Sequence, residues 1–452
     1  MAEKNAPHPN TTRVALALPL LLIIAATATT LQHIIVAQQT QKKPIAIGFG
    51  ENERYILYSN GELHKLLEHG KTTQIAKINM SSADTEASLV DFEVYGENLY
   101  LYAYRSLNET SGQTAITVFN IGSGEKIFQK TYTFTVTGEN RVNGNMVLAA
   151  SACRKGFAVI TANTTHSTIE VYKTALESFK LSAKYSGRMA MTIQRYGDVL
   201  LAPTFRAEIR DSTPWITPRI TDLIENRTLF ELPALIPVAA LAYPFIQAFN
   251  RNGSWECYVT VNNPRMNRIE HYVVYPEKQR LIDSRETAIS PYLEYLVMSQ
   301  PTGSKITFKS GENITVPWRL TVIPQGSHIP IDPKNGILDA NPADKVVIAK
   351  IVEGGRAKIL YVTESSSKEI YSLSAEQASK IKGFYAALTE NTVYIIDPEK
   401  QELIPIPIEE QKNGATATMT LLALAFTVLV AATLTILVAR RKRSKIRLTT
   451  FL

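Results

Sequence analysis

The chain has 452 residues, of which 20 % are charged, and a formal net charge of +7. Six of those charges come from residues 440–447 and one from residues 1–13, so everything between is neutral overall. A neutral body excludes a nucleic-acid surface built on clustered Lys and Arg, and two cysteines exclude a disulfide-stapled framework.

The first element reads as an export segment. Residues 14–31 (VALALPLLLIIAATATTL) carry no charge and follow a polar lead containing Lys4 and Arg13. Cations before an apolar run stay on the cytoplasmic side, which predicts a signal peptide or signal anchor over residues 1–37. Ile35-Val36-Ala37 offers a small-residue cleavage site before Gln38.

Residues 44–409 form the body. Short runs rich in Val, Ile, Tyr, Thr and Phe alternate with Gly, Asn, Asp and Pro, which predicts an all-β domain. Strands are expected at Tyr55–Tyr58, Leu99–Tyr104, Phe157–Ala162, Val199–Ala202, Ile359–Thr363 and Thr392–Ile396, with helical pieces only at Ala375–Lys382 and around Leu223. A turn of the Gly-Glu-Asn kind precedes many strands: Gly50-Glu-Asn, Gly96-Glu-Asn, Gly197-Asp and Glu390-Asn391, with looser versions at Lys155-Gly156, Asn252-Gly253 and Gly354-Gly355. Gly and Asn tolerate the positive φ of a tight hairpin. A second turn recurs as Tyr275-Pro-Glu-Lys-Gln-Arg-Leu-Ile282 and Asp397-Pro-Glu-Lys-Gln-Glu-Leu-Ile404.

Repeating hairpin units predict a β-propeller of seven or eight blades, with the first unit (Ile45–Ile78) beside the last (Phe384–Ile408). Tandem β-sandwiches are the alternative. They call for linkers about every hundred residues, whereas the Pro-rich join is Leu403–Ile408, at the end of the body.

Six Asn-X-Ser/Thr sequons lie in the body, at Asn79, Asn108, Asn163, Asn226, Asn252 and Asn313. They are glycosylation candidates in an exported domain. Cys153 and Cys257 permit one disulfide in that compartment, but they fall in non-neighbouring units. Cys257, within Trp255-Glu-Cys-Tyr-Val, reads as a buried strand hydrophobe.

Motifs for phosphate, dinucleotide, zinc or acyl-transfer chemistry do not occur, and no catalytic, cofactor-binding or metal-binding residue is assigned. His64 and His69 are five apart, which puts them on opposite faces of a strand. The segment Asp332–Asp344 lacks the spacing and closing Glu of a calcium loop and reads as an ordinary surface loop. Tyr272, Tyr275, Tyr292 and Tyr295 read as sheet packing.

The last elements are the clearest. Residues 415–439 carry no charge and are long enough, at 1.5 Å per residue, to cross the roughly 30 Å core of a bilayer. The tail 440–452 holds Arg440, Arg441, Lys442, Arg443, Lys445 and Arg447 without an acid, the positive-inside pattern. The expectation is a single-pass cell-membrane protein whose body lies outside and whose tail lies in the cytoplasm. A propeller ectodomain binding a protein or glycan of the cell envelope is the leading functional reading, without cofactor or nucleic acid. The alternatives are an envelope glycan hydrolase or lyase, and a sensor working through a membrane partner.

Overall fold

The computed structural model describes residues 42–408 except 82–83, 85–86, 139–140, 165–166, 176–177, 187–191, 232–235, 238–244, 264–266, 276–277, 283, 291, 323–334, 375–385 and 398–399. By compactness the chain divides between Ile406 and Pro407; within the second unit only Pro407 and Ile408 are described. The apolar spans read at 14–31 and 415–439, the cleavage site, the tail cations and the helical piece expected at Ala375–Lys382 lie outside the described residues. No helix among the described residues is long and apolar enough to cross a membrane.

The described chain is nearly all β. Its strands form eight successive meanders, called sheets I to VIII here. The inner strands, first in each meander, are Pro44–Phe49, Leu89–Tyr95, Met146–Cys153, Gln194–Tyr196, Phe245–Arg251, Glu286–Ile289, Gly336–Asn341 and Ala386–Leu388. Sheets I to VII each add three antiparallel strands outward; sheet VIII adds Thr392–Asp397 and Glu402–Pro407. Sheets I and II are joined by one parallel pair, Phe49 with Glu93, between their inner strands. Sheets II and IV are extended by Arg141–Gly144 and Ile236–Pro237.

Inner strands read as nearly continuous apolar runs because both of their faces are covered: LVDFEVY in sheet II is buried from its second residue to its last. The outer strand Lys126–Thr137 is mostly half-buried or exposed, with Tyr132 its one buried residue. Apolar clusters lie between consecutive sheets, such as Tyr100 and Tyr102 of sheet II with Phe157 and Val159 of sheet III. The series also closes on itself. Ile47, Phe49 and Ile56 of sheet I share a cluster with Ala387, Tyr394 and Ile396 of sheet VIII. Each isoleucine or phenylalanine so buried contributes about 1.5–3 kcal/mol. The outermost strand of sheet VIII carries Pro405 and Pro407 at alternate positions, and a residue without an N–H suits an edge that must not recruit another strand.

Every strand expected from the sequence forms, and the Gly96 and Gly197 turns take the predicted positive φ of 59° and 58°. Four details differ. The stretch around Leu223 is the turn into Arg227–Glu231, because Asp222 Oδ1 accepts the N–H groups of Ile224 and Glu225 and folds the chain back. Gly354-Gly355 joins the second and third strands of sheet VII rather than the first and second, so it is not equivalent to the Gly-Glu-Asn turns. The duplicated octapeptides are both hairpin turns, but one joins the third and fourth strands of sheet V and the other the second and third of sheet VIII. Their likeness therefore reports turn chemistry rather than register. Finally, the segment read as a surface loop at 332–344 contains the inner strand of sheet VII, Gly336–Asn341, which a turn at 342–345 follows.

Candidate functional site

The inner strands bring charged and aromatic side chains together between the sheets. Glu93, 4 % exposed, accepts hydrogen bonds from Tyr102 Oη (3.0 Å), Ser151 Oγ (3.2 Å), the Ala152 N–H (2.7 Å) and Tyr292 Oη (3.4 Å). Burial raises its pKa, opposed by the Arg195 charge and by the Ala152, Tyr102 and Ser151 donors. Two residues earlier, burial and the Glu93 charge push Asp91 up to about 8. The Arg195 guanidinium lies 4.4 Å from the Tyr95 ring centre and 5.0 Å from that of Tyr292, a buried cation–π sandwich joining sheets II, IV and VI.

A second charged group closes the same region. Arg54 donates from Nε and Nη2 to the two carboxylate oxygens of Asp339, both at 3.0 Å, and lies 4.5 Å over the Phe49 ring. Asp339 Oδ2 also accepts the Leu388 N–H at 2.8 Å, tying sheets I, VII and VIII to one carboxylate. Burial works against the Arg54 charge, but the charge and hydrogen bonds of Asp339 hold its pKa above the ordinary value. Such a fork-to-fork pair is charge-assisted at both bonds and geometrically specific.

Over Arg54 opens a cleft of about 770 Å³, lined by the turn Glu51–Arg54, by Lys65–Glu68, Glu294, Lys309–Ser310 and Ala340–Ala343, and by Leu388–Glu390. Most of its charges are paired within the protein. Lys65 donates to Glu53, as does Tyr55 Oη, and the Lys65 bond leads in lowering the Glu53 pKa. Glu51 pairs with Arg154. Glu68 accepts the N–H groups of Glu390 (2.9 Å) and Asn391 (2.7 Å) and the Thr389 hydroxyl (3.3 Å), holding sheet VIII against sheet I. Glu294 differs. Half-buried at the turn before the second strand of sheet VI, it meets no hydrogen-bond donor with its carboxylate among the described residues, and burial raises its pKa.

The residues singled out from the sequence lie elsewhere. Asn79, Asn108, Asn226, Asn252 and Asn313 are exposed and Asn163 is half-buried. Cys153 and Cys257 are free and buried, in sheets III and V, and pack in separate apolar clusters. Burial pushes the Cys153 thiol up to about 11 and raises that of Cys257 as well. His64 bonds Glu62 and Thr72, whereas His69 sits at positive φ in a 3-10 turn, so the two do not converge. Among the four tyrosines, Tyr295 packs in a core cluster, Tyr272 and Tyr275 lie against two others, and Tyr292 joins the Arg195 sandwich.

Sequence reasoning missed Arg54, Glu93, Arg195, Glu294 and Asp339. A signal existed for two of them: an acid inside an apolar inner strand, as in LVDFEVY and GILDAN, cannot be buried without a partner.

No protein-family model matches the chain, and no curated protein matches it in sequence. Among solved structures it is similar to the computationally designed Ika8 protein, at 11 % identity and a TM-score of 0.42, covering 82 % of this chain and 98 % of that one. It is similar to the Dos1 propeller at 8 % identity and a TM-score of 0.38, covering 79 % and 90 %. Porphyromonas gingivalis dipeptidyl peptidase 4 matches at 10 % identity and a TM-score of 0.43, over 83 % of this chain and 60 % of that one.

Proposed function

We propose that the chain is a membrane-anchored surface protein whose body, residues 44–409, is an eight-bladed β-propeller that binds a protein or glycan of the cell envelope through the cleft over Arg54. Eight successive meanders, with the last packed on the first, support the propeller reading. A blade cannot cover both of its faces alone, and closure into a ring solves that. The uncharged segment 415–439 and its six following cations support the anchor, with the body outside and Arg440–Leu452 inside. Residues 1–37 direct export, and exposed sequons such as Asn108 and Asn252 are then open to glycosylation.

The observation that carries the binding reading is the state of the cleft's charges. Arg54, Lys65, Glu51, Glu53 and Glu68 are held by partners within the protein, a stiff and preorganised recess rather than a set of groups poised to move protons. A photo-cross-linker replacing Asn52, at the cleft, is expected to capture an envelope component in intact cells. The same group at Glu109, at the other end of the sheets, is expected to capture none. Equal capture from both positions overturns the reading.

One observation favours the hydrolase alternative: the raised pKa of Glu294 suits a general acid. Its neighbour Glu53 is bound to Lys65, which is poor preparation for the second carboxylate. Cleavage of isolated envelope glycan by the wild type and not by Glu294→Gln would support that alternative.

A further inference from the structure

Granted that the body is exported as proposed above, its six sequons differ in how the asparagine amide is held. At Asn108 the hydroxyl two residues on reaches the amide. Asn108 Oδ1 accepts the Thr110 N–H at 2.9 Å and the Thr110 hydroxyl at 3.2 Å. Both bonds turn Oδ1 into the turn and leave Nδ2, which donates no hydrogen bond among the described residues, to solvent. These contacts span three residues, so they form locally whether or not the rest of the body has folded. In no other sequon does that hydroxyl reach its asparagine among the described residues; Thr165, which completes the Asn163 sequon, lies outside them. Asn79 Nδ2 instead donates to Glu125 at 2.7 Å, and Asn313 Nδ2 to the Gly311 carbonyl at 3.3 Å.

The surroundings of Asn108 have room for a bulky group. It ends the second strand of sheet II, Asn98–Asn108, and residues 106–110 are all exposed at the hairpin into the third strand. The cleft is built on turns between first and second strands, at the other end of the sheets, so a group on Asn108 leaves it open.

We propose that Asn108 is the preferred N-glycosylation site of the body, with Thr110 as its positioning residue, and that it takes an oligosaccharide from a lipid-phosphate-linked donor. In that transfer Nδ2 forms a bond to C1 of the first sugar and gives up one of its two protons. The bond from C1 to the phosphate oxygen breaks, and the lipid phosphate leaves.

The test uses the full chain purified from its own membranes. Trypsin places Asn108 in the peptide 106–126, Asn79 in 78–105 and Asn313 in 310–319, one sequon in each. Mass spectrometry is expected to find Asn108 glycosylated at an occupancy at least about fivefold that of Asn79 or Asn313. Thr110→Ala is expected to abolish the modification at Asn108 and Thr110→Ser to keep it, with melting curves checking that both variants fold. Unmodified Asn108, equal occupancy at the three positions, or a modification that survives Thr110→Ala overturns the proposal. Labelling of Asn52→Cys on intact cells by a membrane-impermeant maleimide separates this inference from the reading beneath it. If that position is labelled and Asn108 is unmodified, the glycan assignment fails and the export reading stands; if neither is modified, both fail.

Discussion

Asp339→Asn isolates the ionic part of the contact that joins sheets I, VII and VIII. Asparagine still offers an oxygen to the Leu388 N–H, which Asp339 accepts at 2.8 Å, but it presents no charge to Arg54. The side chains of Arg54 and Asp339 are 15 % and 5 % exposed, so solvent screens them little. Removing one partner of such a pair costs about 3–5 kcal/mol, mostly because the remaining charge stays buried. With an unfolding entropy of about 2.1 cal/mol/K per residue, a body of this length melts roughly 4–7 °C lower for that loss. Melting of the full chain, followed by near-ultraviolet circular dichroism, measures it. The double variant Arg54→Met/Asp339→Asn removes the stranded charge and is expected to recover at least about 2 kcal/mol of the loss. A single variant within 1 kcal/mol of wild type, or a double variant costing the sum of the two singles, refutes the reasoning.

Other outcomes follow from the same contacts. Glu68→Ala leaves the N–H groups of Glu390 and Asn391 without their acceptor, so amide exchange at those two positions is expected to accelerate while sheets III to V are unchanged; no local change counts against this closure. Val274 and Ile395 are fully buried, and an Asp at either is expected to cost several kcal/mol, read as lost expression or a lowered melting temperature; near-wild-type behaviour contradicts their place in the core. Asp91 has a folded pKa raised to about 8, so its contribution to stability is fully present below the unfolded value of about 3.9 and is lost as pH rises through 8. Melting temperature is thus expected to fall between pH 5 and 8 in the wild type and to fall less in Asp91→Asn; parallel pH profiles would falsify this assignment. Both thiols are buried, so iodoacetamide is expected to leave Cys153 and Cys257 unmodified until the protein is denatured.

The β content was legible because strand formation here depends on local composition: RYILY, LYLYAY and TVYIID each combine β-branched or aromatic residues with a flanking turn. The meeting of the first and last units was legible too, since a row of half-covered sheets has to bury both ends. Equivalence of turns was not. Tyr275-Pro-Glu-Lys-Gln and Asp397-Pro-Glu-Lys-Gln satisfy the same hairpin chemistry wherever a hairpin is needed, so they could not fix a strand's place in its sheet. The cleft was hidden for a related reason. Arg54 and Asp339 are 285 residues apart, and Glu68 and Asn391 are 323 apart, so nothing local marks them as partners. Glu294 carries still less signal, because its character comes from the donors that fail to reach it.

The cleft should be reachable from outside the cell, and one labelling measurement addresses that point. Asn52 is exposed at the cleft and both native thiols are buried, so Asn52→Cys gives a single reactive position on the body. A membrane-impermeant maleimide added to intact cells is expected to label it within minutes. Labelling that requires lysis contradicts the account.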